Sequence, residues 1–185
     1  CTGAGLGVMT GLHPGSYSGR FVVKSSNATA VNAIAIEGST TVSTQPAVLI
    51  ENHTRLISSA TSNGGAISIS GVSTNNALSI GTVWGPGTLD VMSASGSINV
   101  NLGNNPLSIF GASSFFRLGS IQSDTDVPSS SANVVVTSNN VSWAGSVPIR
   151  TSGTLTVTPT NGNSFASAFN TTALNYTGIS EIGRA

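Results

Sequence analysis

A short triplet, one apolar residue on each side of a polar or small one, recurs along almost the whole chain and restricts its possible folds more than any other feature. It reads Ile34-Ala35-Ile36, Val48-Leu49-Ile50, Ile67-Ser68-Ile69, Leu78-Ser79-Ile80, Leu89-Asp90-Val91, Ile98-Asn99-Val100 and Leu107-Ser108-Ile109, spaced by roughly ten residues. Phe116-Arg117-Leu118, Val134-Val135-Val136, Leu155-Thr156-Val157 and Leu174-Asn175-Tyr176 follow at wider intervals. Side chains alternate across a strand, so the outer two members of each triplet point inward and the middle one is expected to face solvent. Asn63-Gly64-Gly65, Asn75-Asn76, Gly85-Pro86-Gly87, Ser95-Gly96, Gly103-Asn104-Asn105-Pro106, Asn139-Asn140 and Asn161-Gly162-Asn163 lie between them. These residues tolerate the dihedrals of tight turns. No stretch combines helical spacing with good helix formers, so the chain is expected to be all-β.

Short strands between short turns suit either an antiparallel β-sandwich of the pilin-like kind or a β-solenoid, a parallel β-helix coiled around one narrow core. The triplets are shorter than the usual strand of about five or six residues, and their spacing is nearly regular, which favours the solenoid. Two such strands make a coil of about 20 residues.

Composition narrows the function. Of the 185 residues, 38% are hydrophobic and only 6% charged, against about a quarter charged in an ordinary soluble domain. Ser, Thr and Asn must therefore supply the wet surface. Six basic and six acidic side chains give zero formal charge, which leaves no electrostatic footprint for nucleic acid or an anionic membrane. No apolar run reaches the roughly 18 residues of a spanning helix. Cys1 is the only cysteine; it reads as a lipid-bearing first residue, an intermolecular bridge, or simply the place where the segment begins. Residues 1–26 form a Gly-rich cap segment, 27–176 the solenoid and 177–185 a terminal segment. A solenoid leaves strand edges at its ends, so end-to-end self-association into a fibre is expected.

The strings Gly87-Thr88-Leu89-Asp90-Val91, Ala94-Ser95-Gly96-Ser97-Ile98-Asn99-Val100 and Asn105-Pro106-Leu107-Ser108-Ile109 resemble the filamentous-haemagglutinin-like exoproteins and β-strand-repeat adhesins of Gram-negative bacteria. Asn139-Asn140-Val141-Ser142-Trp143 and Thr151-Ser152-Gly153-Thr154-Leu155-Thr156-Val157-Thr158-Pro159 are similar too, so the resemblance covers roughly residues 30 to 176. It implies a right-handed parallel β-helix, secretion to the cell surface, and adhesion or fibre formation. The family's secretion domain carries an Asn-Pro-Asn signature, which Asn105-Pro106-Leu107 lacks. The resemblance thus implies a passenger segment without its secretion module and names no ligand; surface glycans are the candidate partner besides self-association.

Catalytic chemistry finds little support. Polysaccharide-cleaving β-helices need carboxylates clustered with basic residues on one flank, and glycosidases need a carboxylate pair at a set distance. The best local string is Glu51-Asn52-His53-Thr54-Arg55, whose alternate members share one strand face; a charged outer face explains it equally well. Asp124-Thr125-Asp126 offers oxygens to a calcium ion but lacks the loop glycine and distal Glu, and reads as a solvated turn. His13 and His53 are too few and too isolated for zinc. Gly3, Gly5 and Gly7 have no strand before them or helix after them to make a phosphate loop. The expectation is no enzyme, with catalytic, cofactor and metal residues all none. Asn27, Asn52, Asn140, Asn170 and Asn175 stand in glycosylation sequons, at a frequency that chance explains. Trp84, Trp143, Phe110, Phe115 and Phe116 would form a carbohydrate platform if exposed, and a buried stack between coils if not.

Overall fold

The computed structural model of the chain describes residues 6–8, 20–29, 31–61, 65–74, 76–81, 86–104, 107–109, 114–121, 124–138, 147–158, 160, 174–177 and 181–184. Among them there are sixteen strands and no helix. These are β1 (Leu6–Val8), β2 (Arg20–Ser25), β3 (Asn32–Ser39), β4 (Val48–Ile50), β5 (Asn52–Ser58), β6 (Ala66–Val72), β7 (Leu78–Ile80) and β8 (Gly87–Ser93). They continue as β9 (Ile98–Gly103), β10 (Leu107–Ile109), β11 (Phe115–Gly119), β12 (Val134–Ser138), β13 (Val147–Arg150), β14 (Thr154–Thr158), β15 (Leu174–Thr177) and β16 (Glu181–Arg184). The first sheet runs β1-β4-β7-β10, the second β2-β5-β8-β11-β13-β15 and the third β3-β6-β9-β12-β14-β16. Every described pairing is parallel. The chain is a β-solenoid: β1–β3, β4–β6, β7–β9 and β10–β12 are successive coils, each giving one strand to each sheet. The antiparallel sandwich is excluded, since hairpins would pair neighbours in sequence.

In-register pairing stacks like on like. The third sheet carries the inward rows Ile34–Ile67–Ile98–Val134–Leu155 and Ile36–Ile69–Val100–Val136–Val157. Val48–Leu78–Leu107 and Ile50–Ile80–Ile109 line the first sheet, and Leu56–Val91–Leu118–Ile149 the second. All of these belong to one buried cluster that runs through the solenoid. Each such side chain contributes about 1.5–3 kcal/mol of apolar burial.

The corners explain the serine content. Between the second and third sheets, the N–H groups of Ser59, Ala94, Ser131 and Ser152 donate to the carbonyls of Ser25, Ser58, Ala94 and Ser130 in the preceding coils. The hydroxyls of Ser59, Ser95, Ser131 and Ser152 add bonds to the carbonyls of Ser25, Ala60, Ala94 and Ser130. Backbone acceptors at a bend would otherwise depend on water. Between the third and first sheets the chain bends so sharply that a Cβ on Gly38 or Gly71, which are paired in register, would collide with the carbonyl of Ala47 or Ala77. Only glycine permits that approach.

Two expectations need correction. Ile34 to Ile67, Ile67 to Ile98 and Ile98 to Val134 are steps of 33, 31 and 36 residues, so these coils hold about thirty rather than 20. The reason is a third strand in each coil where two were expected: Leu78-Ser79-Ile80, Leu89-Asp90-Val91 and Ile98-Asn99-Val100 all belong to one coil, as β7, β8 and β9. Only after β12 does the step fall, to 21 residues from Val134 to Leu155. Second, the middle residues of two triplets, Ser79 and Asp90, are buried instead of facing solvent. β1 and β2 fall within residues 1–26 and β16 within 177–185, and all three pair in the same sheets, so parallel pairing extends past the boundaries read from composition.

Candidate functional site

Charge is scarce in this chain, yet Lys24, Arg55, Asp90, Arg117, Asp124 and Asp126, half of its formally charged side chains, meet on the outer face of the second sheet. Register brings them together. Val22, Arg55, Asp90 and Arg117 are consecutive partners on β2, β5, β8 and β11. Two residues further along the same face stand Lys24, Ile57 and Met92. The connection after β11 spans residues 120–133, whereas the equivalent ones after β5 and β8 span only 59–65 and 94–97. Its extra length carries Asp124, Asp126 and Val127 back over the earlier coils.

Asp90 is the hub. Only 1% exposed, it accepts from Arg117 Nε at 2.6 Å and Nη2 at 2.9 Å, a two-pronged pair from the next strand. His53 Nε2 donates to its Oδ2 at 2.9 Å, since an ionised carboxylate can only accept. Arg55 Nε lies 3.7 Å away on the other side. Arg55 is itself buried: its guanidinium donates to Asp124 Oδ2, lies 3.7 Å from Asp126, and touches Met92 Sδ at 3.3 Å. Asp126 Oδ1 takes the Lys24 ammonium at 2.6 Å.

The titration of Asp124 is displaced. Burial pushes its pKa up, but the N–H of Asp126, the charge of Arg55, the N–H of Val127 and the Arg55 hydrogen bond together hold it below the ordinary carboxylate value. Beside the ions sits a small apolar cluster of Ile57, Met92 and Val127, flanked by Ala94 and Ile121. The long connection is thus fastened by both charge and burial.

The sequence candidates separate accordingly. His53 and Arg55 belong to the cluster, while Thr54 between them points into the core and Glu51 forms no ion pair among the described residues. Asp124 and Asp126 are not a solvated turn: the oxygens of Asp124 receive two backbone N–H groups and a guanidinium. Asp90 and Arg117 are the site residues that sequence reasoning missed. Both are middle members of triplets, and aligning those triplets strand on strand would have placed them side by side. Phe116 is buried, whereas Phe115 is 43% exposed on the outer face, in register with Thr88 and then His53. Asn27 is exposed, its Oδ1 accepting from the N–H and hydroxyl of Thr29. Cys1, Gly3, Gly5, His13, Trp84, Phe110, Asn140, Trp143 and Asn170 lie outside the described residues, as do the side chains of Asn52 and Asn175. Gly7 pairs with Leu49 within a strand, which is no setting for a phosphate loop.

Chemically, the cluster holds three acids and three bases that neutralise one another. A general acid or base must reach a substrate proton; here each of the three carboxylates is occupied by cations of the protein itself. No family model, no curated protein and no solved structure matches this chain.

Proposed function

We propose that the chain is a non-enzymatic structural solenoid, displayed outside a bacterial cell as the shaft of a stalk, fibre or adhesive surface. One observation carries this reading: the only dense cluster of charge described in the protein is spent on holding its coils together. Asp90, Asp124 and Asp126 are all bound by Arg55, Arg117, Lys24 and His53. The three-sheet ladder and the uncharged Ser/Thr/Asn surface fit the same role, as does the textural resemblance to filamentous-haemagglutinin-like passenger regions. In this reading the subunits join end to end through their terminal strands. Electron microscopy of the purified native material tests it: strands crossing a long filament axis at about 4.8 Å spacing support the fibre, whereas discrete particles at all concentrations count against it.

Exposed Phe115 beside Thr88 and His53 favours a second reading, contact with surface glycans through an aromatic ring on the outer face. A glycan array comparing the protein with Phe115→Ala decides it, a ring-dependent signal supporting the contact and an unchanged one removing it.

A further inference from the structure

In a stacked repeat each unit touches only its neighbours, so coils can open one at a time from the ends. The connection after β11 breaks that rule. It leaves the fourth coil, passes over the third and reaches Arg55 and Ile57 of the second through Asp124 and Val127. Asp126 extends the reach to Lys24 of the first coil, 102 residues away in sequence. Between β11 and β2 lie three strand-to-strand steps, about 14 Å along the axis. On its return the chain hydrogen-bonds to the third coil, Ser131 N–H to the Ala94 carbonyl at 2.9 Å.

We propose that this connection is an axial strap that couples the first two coils to the fourth, so that they open as one cooperative unit instead of fraying singly. Its anchors differ in kind. Arg55 and Asp124 are a shielded ion pair, Ile57, Met92 and Val127 an apolar contact, and Lys24 and Asp126 a half-exposed pair. Releasing the strap uncovers apolar surface and takes Asp124 and Asp126 away from the buried Arg55 charge, so opening it alone is costly. The inference concerns how the solenoid opens and does not depend on the protein's being a fibre or an adhesin.

Native-state hydrogen exchange of the full chain, followed through increasing urea, tests it directly. The amides of β2, β5 and residues 124–128 are expected to exchange through a common opening with one urea dependence. Strap amides that exchange independently, while β5 stays protected, would overturn the proposal. A strap-weakened variant, Asp124→Asn with Val127→Ser, adds a second readout. It should raise exchange in β2 and β5 by about tenfold, although both lie more than 60 residues from the substitutions. Faster exchange confined to residues 120–133 would again overturn it, and should this variant fail to fold, the wild-type experiment alone decides.

Discussion

Asp90 accepts two hydrogen bonds from Arg117, at 2.6 Å and 2.9 Å, although the two residues are 27 positions apart in sequence. They are direct partners on adjacent parallel strands. Breaking a buried pair by removing one member leaves the other charge uncompensated. Asp90→Asn removes the negative centre from Arg117 and Arg55 and is expected to destabilise the protein by about 3 kcal/mol, measured by urea unfolding.

Acid should act on the strap through Asp124. Its pKa is lowered in the folded protein, so its contribution to stability is complete above the ordinary carboxylate value and is lost as pH falls from there through the lowered value. Unfolding midpoints measured from pH 6 to pH 2 should decline most steeply below about pH 4. In Asp124→Asn that part of the decline should be missing.

Gly71 marks the sharp bend between the third and first sheets. A Cβ there would sit 2.8 Å from the Ala77 carbonyl carbon and closer still to its oxygen, against backbone that cannot rotate away. Gly71→Ala is expected to cost about 1–3 kcal/mol through overpacking, readable as a lower thermal midpoint.

Thr54 gives the opposite sign. It stands in an inward row with Leu89 and Phe116, fully buried, and its hydroxyl oxygen has no hydrogen-bond partner among the described residues. Thr54→Val keeps the shape and removes an unpaired polar group, so it should stabilise by about 1 kcal/mol in the same urea assay.

Alternation predicts that Ile98→Asp disrupts the fold whereas Asn99→Asp stays within about 0.5 kcal/mol, because Ile98 is wholly buried and Asn99 is on the outer side. Circular dichroism of both variants checks this, and equal damage would refute the assignment of faces.

All eleven triplets lie in strands, because apolar residues two positions apart mark the buried face of a strand. β5 was obscured because Thr54 occupies an inward position and Arg55 an outward one, which breaks the apolar–polar alternation. Counting two strands to a coil instead of three shortens it from about thirty residues to 20, and without the coil length no register can be drawn. The ion cluster was therefore hidden: Arg55, Asp90 and Arg117 become neighbours only when β5, β8 and β11 are stacked. The strap was harder still, since Asp124 and Asp126 gain partners from strands far earlier in the chain.

The serine corners and the Asp90 cluster respond differently to their surroundings. Hydroxyl-to-carbonyl bonds between neutral groups are indifferent to dissolved ions, so the corners should hold equally in fresh water and in brine. The half-exposed Lys24–Asp126 contact is screened as ions accumulate. A chain built this way divides into corners blind to dissolved salt and a clasp that responds to it.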